Sequence, residues 1–149
     1  MKTIPANLLY LFVILSGLTP FAAAKDADDG AKTRALVASK LDAEYPSLFE
    51  IYKNLHAHPE LSMMEIKTAA LVAGELRKLG FQVTEKVGHT GVVGVLANGP
   101  GPTILVRADM DGLPIKENSG VPYASTDVVR DITGTDQPAM HGCAHDTHV

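Results

Sequence analysis

Cysteine is nearly absent from this chain: Cys143 stands alone among 149 residues, which excludes a disulfide within the chain even where export would permit one. An unpaired thiol in an oxidising compartment is buried, reactive, paired with another chain, or held by a metal. No apolar run reaches the ~20 residues that a membrane-spanning helix needs. A basic stripe is missing too, and with a formal net charge of −4 nothing electrostatic recruits nucleic acid. Repeats and low-complexity tracts are also lacking. What is left is small-molecule or peptide chemistry on one ordinary domain, or on a piece of a larger one, with 46% hydrophobic residues to build a core.

At the amino end, Lys2 precedes an apolar stretch from Leu8 to Leu18, then Pro20 and Ala22-Ala23-Ala24. This is the layout of a secretory signal cleaved after Ala24, and it favours export over a membrane anchor. Residues 1–24 are read as the signal, and 25–44 as a polar tail and the start of a first helix. The acidic patch from Asp26 to Asp29 is expected to be solvated tail.

From Arg34 to Leu55, the residues Leu36, Leu41, Tyr45, Leu48, Ile51, Tyr52 and Leu55 recur at helical spacing. Pro46 should split this run into two helical pieces, the second ending near His56 to Pro59. Ser62-Met63-Met64-Glu65 has capping-box form. It leads into a stripe of Ile66, Ala69, Ala70, Ala73, Leu76 and Leu79, with Gly80 as the stop. Met63 and Met64 are read as packing residues.

After Gly80 the period changes. Phe81 and Val83 alternate with polar residues, Gly91 to Ala97 is rich in valine, and the turn from Asn98 to Pro102 leads to Thr103–Val106. The two valine-rich runs are expected to pair across that turn. Helix followed by strands predicts an α/β sheet.

The chemistry gathers in two places. His141-Gly142-Cys143-Ala144-His145-Asp146-Thr147-His148 holds three of the six histidines around the lone thiol. Thiolate and imidazole are the donors a zinc-class ion prefers, and a neighbouring carboxylate can orient an imidazole. The run lies against Val149, so its shell needs partners from elsewhere. The second place follows Thr103–Ala108, where Asp109 and Asp111, two apart, can present both carboxylates to one side. That is the carboxyl end of a strand, where open α/β sheets hold ligands. Turn capping explains such aspartates equally well.

His56 and His58 would face different ways on a helix, so they read as structural groups closing the first helix beside Pro59. His89 is a loop residue. His141 and His148 are supporting or helix-start groups with no metal assigned.

Taken together and in this order, His56-Ala57-His58-Pro59-Glu60-Leu61, Gly91-Val92-Val93, Arg107-Ala108-Asp109-Met110-Asp111-Gly112-Leu113-Pro114 and Met140–His148 resemble the amidohydrolase branch of the zinc aminoacylase and carboxypeptidase family. Hippurate hydrolases, N-acyl-amino-acid amidohydrolases and indoleacetyl-amino-acid hydrolases make up that branch. The resemblance covers nearly everything from Tyr45 onward and makes 45–149 the amino-terminal part of a catalytic domain.

It implies an α/β fold, a partial metallopeptidase domain with a central mixed sheet flanked by helices. It also implies two adjacent divalent metal ions; thiolate and imidazole suit zinc, with cobalt, nickel or manganese left open. The implied reaction is hydrolysis of the amide bond of an N-acyl amino acid or small peptide. A lid domain inserted later could make a homodimer. Cys143 and His145 match positions that contribute metal ligands. Asp111 matches the acidic position that supports the metal site and takes the catalytic assignment, while Asp109 stands where other branches carry a ligand histidine.

Two departures stand out. The family has glycine where this chain has Ala144, and a positive φ there would strain the loop. The segment Ser125 to Ala139 is longer than usual and reads as a surface insertion. Glu60, Glu65 and Glu117 do not stand at the family's general-base position, which lies past Val149. The sequence therefore reads as the amino-terminal portion of a longer exported hydrolase. The alternative is a non-catalytic exported relative that binds a metal or a partner.

Overall fold

The computed structural model describes residues 23–149, with side chains from residue 28 onward. The expected signal segment lies outside the described residues apart from the helical backbone at Ala23 and Ala24. The elements are α1 (Ala23–Ala57), α2 (Ile66–Lys78), β1 (Gln82–Val87), β2 (Gly91–Val95), β3 (Val128–Arg130), β4 (Asp136–Pro138) and a 3-10 turn (His145–Thr147). Two compact units divide the chain, Met1–Asp42 and Ala43–Val149. Among the described residues, no helix is long and apolar enough to cross a membrane.

In the first unit the described residues are helical, so the acidic patch expected as a tail is helix instead. Lys32 reaches back to Asp28 at 2.6 Å, an i,i+4 pair of the kind that supports an exposed helix.

The break expected at Pro46 does not occur either, because α1 continues through it to Ala57. Proline removes the N–H that would bond the Asp42 carbonyl, but the helix is exposed here and water can take that oxygen. Just beyond, the Tyr45 and Phe49 rings stack at 5.7 Å and those of Phe49 and Tyr52 at 5.9 Å. Tyr123 packs edge-on against Phe49 and Tyr52. These aromatic contacts tie the last turns of α1 to Tyr123 within the second unit.

α2 begins at Ile66, and Ser62 does not cap it. The capping-box expectation is replaced by a cap from a distance: the Glu60 carboxylate accepts from Lys67 N at 3.1 Å and Thr68 N at 2.8 Å. One side chain thereby satisfies two of the unpaired N–H groups at the helix start, at its positive end. Glu65 is turned inward and accepts from the Thr90 hydroxyl at 2.7 Å. The other end of α2 agrees with the expectation. Gly80 has φ +86, Phe81 N bonds Leu76 O and Gly80 N bonds Arg77 O, both at 3.0 Å, which is a Schellman stop.

β1 and β2 form an antiparallel pair, Gln82 opposite Val95 and Thr84 opposite Val93, and α2 packs on them. This corrects the expected partner of β2, which is β1 and not Thr103–Val106. That apolar segment has no ladder partner among the described residues. It carries apolar side chains on both faces, the pattern of a strand meant to be covered on both sides. Without such layers it stays open, with Ile104, Leu105 and Val106 exposed by 82%, 90% and 86%.

The class is α/β. Both senses of strand pairing meet at one point, where Gly112 bridges Leu61 in parallel and Leu113 bridges Met140 antiparallel. Gly112 is needed there: a Cβ would lie 2.9 Å from Pro59 Cβ and 3.3 Å from the Glu60 and Met140 carbonyl oxygens. Three sequence-distant segments therefore cross beside Asp109–Asp111, although the strand expected over Thr103–Ala108 is not formed among the described residues. The stretch expected as an insertion is an exposed hairpin, β3–β4, closed by Asp131 Oδ1 accepting from Thr133 N at 2.8 Å and Thr135 N at 2.9 Å. Its root is tied inward, with Ser125 and Ala139 buried.

Candidate metal centre

The 3-10 turn His145–Thr147 is entered through Ala144, which has φ 59 and ψ 31. A left-handed residue reverses the chain sharply, so Cys143 and His145 are set on either side of one tight bend. Cys143 is exposed. His145 is fixed from its other edge: Nδ1 lies 2.9 Å from both Asp111 Oδ1 and Asp111 O. Both of those oxygens can only accept, so Nδ1 carries the proton. In the neutral ring the lone pair is then on Nε2, the arrangement that a metal-binding histidine takes when a carboxylate orients it.

Asp109 flanks the same imidazole, its Oδ2 lying 4.0 Å from His145 Nε2. Arg107 holds the Asp109 carboxylate at 2.6 Å. The two aspartates read as facing one side therefore do converge, on the two edges of one ring.

This donor set of thiol, imidazole and carboxylate fits a zinc-class ion in kind. It does not close a shell: among the described residues no group of three or more His, Cys, Asp or Glu is gathered closely enough to hold a metal. His141 is buried beside the bend, and neither ring nitrogen has a hydrogen-bond partner among the described residues. Burial holds its pKa below the ordinary imidazole range, so the ring is neutral and its polar edge unspent.

Behind the bend lies a network that sequence reasoning missed. His56 Nδ1 meets Asp146 Oδ2 at 2.6 Å, and Nε2 meets Glu117 Oε1 at 2.9 Å. The side chains are 13%, 2% and 0% exposed for His56, Asp146 and Glu117. Glu117 also accepts from the Ser119 hydroxyl and, at 2.5 Å, from Ser125 N. Burial alone would lower the His56 pKa, but the bonds to Asp146 and Glu117 outweigh it and raise the pKa above the usual imidazole value. Burial likewise pushes Glu117 upward, and its bonds from Ser119, Ser125 and His56 overcome this and lower it. The ring between two carboxylates is an imidazolium that donates from both nitrogens.

His58 goes elsewhere, to Asp127 at 3.0 Å on the surface, so the two histidines do not share a ligand, as their spacing predicts. Glu60, Glu65 and Glu117 are each spent on a structural bond. The sequence signals for the network were His56 and Asp146, each within a motif that carries the resemblance; nothing marked Glu117 as their partner.

No family model matches the chain. Curated relatives do. Thermostable carboxypeptidase 2 of Saccharolobus solfataricus is 46% identical over 104 residues, 68% of this chain and 24% of the relative. Hippurate hydrolase of Campylobacter jejuni is 42% identical over 100 residues, 66% of this chain and 24% of the relative. Among solved structures, the Bacillus subtilis YXEP protein, described as a dinuclear metal-binding peptidase of the M20 family, matches with TM-score 0.60 and 32% identity over 72% of this chain and 28% of its own. The chain thus spans about a quarter of the length of the curated relatives it matches. With motif order, fold and identity agreeing across hydrolases and a solved peptidase, this chain belongs to the M20 family.

Proposed function

We propose that this chain is the amino-terminal portion of an exported metal-dependent hydrolase that cleaves the amide bond of N-acyl amino acids or small peptides. The observation that carries the reading is the hold of Asp111 on His145 Nδ1, which leaves Nε2 as a donor on the same bend as the exposed thiol of Cys143. Cys143 and His145 would hold metal, Asp111 would orient the imidazole, and Asp109 would offer a carboxylate on the other edge of the ring. The name of the Campylobacter relative supports an acylated amino acid as substrate class, and the description of the Bacillus structure supports a paired-metal site. Thiolate with imidazole favours zinc.

A bound divalent ion would polarise the amide carbonyl and lower the pKa of its bound water towards about 7. The chain's own part is positional. Asp111 fixes the tautomer, Arg107 restrains Asp109, and the left-handed Ala144 sets the angle between the two donors. Proton transfer needs a free carboxylate, and Glu60, Glu65 and Glu117 are already engaged. That engagement favours a second reading for these 149 residues taken alone, metal binding without turnover. The amino-terminal signal pattern supports export.

Metal content separates the readings from their failure. Cys143→Ser and His145→Ala in the full chain should each lower zinc bound per chain, measured by elemental analysis after dialysis. Unchanged metal in both variants rejects the ligand assignment. Hydrolysis of a panel of N-acyl amino acids by the longer protein of which this chain is proposed to be a portion then decides between enzyme and binding protein.

A further inference from the structure

We infer that His56 is a positioning residue for the metal-binding bend, clamping Asp146 from the end of α1 so that the adjoining Cys143 and His145 are held at their working angle. The inference rests on the proposed assignment of those two residues as ligands.

Three observations carry it. Both ring nitrogens of His56 are spent on carboxylates, Asp146 at 2.6 Å and Glu117 at 2.9 Å, so His56 cannot itself be a ligand. Those carboxylates lie 90 and 61 residues away in sequence and are almost wholly buried, so the ring ties three separate segments together out of water. The anchored residue is also the one that matters: Asp146 directly follows His145 in the 3-10 turn, and His145 is itself fixed by Asp111. Consecutive residues are thus pinned to different parts of the fold, Asp146 to α1 and His145 to Asp111. Two such points fix the rotation of the short turn, where one would leave it free to pivot.

The clamp is braced from behind. Glu117 is held by Ser119 and Ser125 N, and Tyr52 and Tyr123 pack against the His56 ring at 5.5 Å and 5.4 Å between centroids. Replacing His56 with a group that cannot donate leaves Asp146 a buried carboxylate without its donor, which is costly enough that the side chain must turn to water or take up a proton. Either outcome releases the turn. Residues that orient metal ligands from behind typically change affinity by about 10–100-fold when altered.

The test measures metal affinity in the full chain by competition with a chromogenic chelator, together with the thiolate-to-metal absorption of the cobalt-loaded protein. His56→Ala should weaken zinc binding by about 10–100-fold and shift the cobalt band. Asp146→Asn, which keeps the size and loses the charge, should weaken it in the same direction and guards against misfolding of the alanine variant. Glu60→Ala serves as the control for a merely structural loss, since it uncaps α2 and should change neither reading. Folded His56→Ala and Asp146→Asn proteins with the parent's affinity and spectrum would overturn the clamp. Parent binding that survives Cys143→Ser and His145→Ala would instead overturn the ligand assignment, and the clamp with it.

Discussion

Ala144 shows how much a single backbone angle decides here. At φ 59 its Cβ crowds the following carbonyl, a strain of roughly 1–2 kcal/mol for an L-residue in the left-handed region. Glycine avoids the clash but has more freedom to lose on folding. We expect Ala144→Gly to stabilise the fold by about 1 kcal/mol, read as a higher chemical-denaturation midpoint at unchanged slope; a lower midpoint would mean the bend is not left-handed in solution. His56 and Glu117 give a pH dependence of definite sign. The His56 pKa is raised above its ordinary 6.5, so its stabilisation is complete below that value and is lost as pH rises through the folded pKa. The Glu117 pKa is lowered below its ordinary 4.5, so its share is present above 4.5 and is lost as pH falls through the depressed value. The unfolding temperature should therefore be highest between about 4.5 and 6.5, and His56→Ala should flatten the alkaline side of that profile. An alkaline limb of unchanged steepness in the variant would contradict the imidazolium bridge.

At the scale of elements, the helices are stopped and started by residues outside them. Glu60 lies six residues before the first residue of α2, yet it takes two of that helix's free N–H groups. Glu60→Ala should cost about 1 kcal/mol, as the loss of a helix cap does, and should raise amide exchange first at Lys67 and Thr68. Equal exchange rates in both proteins would show that water caps the helix as well. The same motif does more: Pro59 is fully buried, and the Glu60 carbonyl accepts from Gly112 N at 2.7 Å. His56 to Leu61 is thus a junction that joins α1, α2 and the Asp109–Asp111 segment: His56 and the Glu60 main chain face the site, while the Glu60 carboxylate serves α2 alone.

At the scale of the whole molecule, apolar burial among the described residues is modest. Buried apolar side chains are few and small beyond Leu55 and Leu61, while Glu65, Thr68, Thr90, Glu117, Ser125, His141 and Asp146 are all buried. With the exception of His141, whose ring nitrogens have no partner among the described residues, the interior of the second unit therefore depends on satisfied polar bonds, which are costly to leave half made. Its largest exposed apolar stretch is Ile104–Val106, an unpaired edge of the type that draws other strands. Leu105→Lys should lower self-association of the 149-residue chain, measured by light scattering across a concentration series. If the variant associates as strongly as the parent, the edge is not the contact.

From sequence alone came the helical stripe and glycine stop of α2, the β1 and β2 segments, the α/β class, and the residue types on the two motifs of the candidate metal centre. These follow from local periodicity, turn chemistry and donor chemistry, which neighbours in the chain express without help. Only the tertiary structure decided that Pro46 is carried through by exposed helix and stacked rings, that Glu60 rather than Ser62 caps α2, and that β2 pairs with β1. It alone brought His56 between Glu117 and Asp146, and Asp111 to the back of His145. Those bonds join residues 34 to 90 positions apart, and pairings at that range are set by how packed elements meet, which no local pattern encodes.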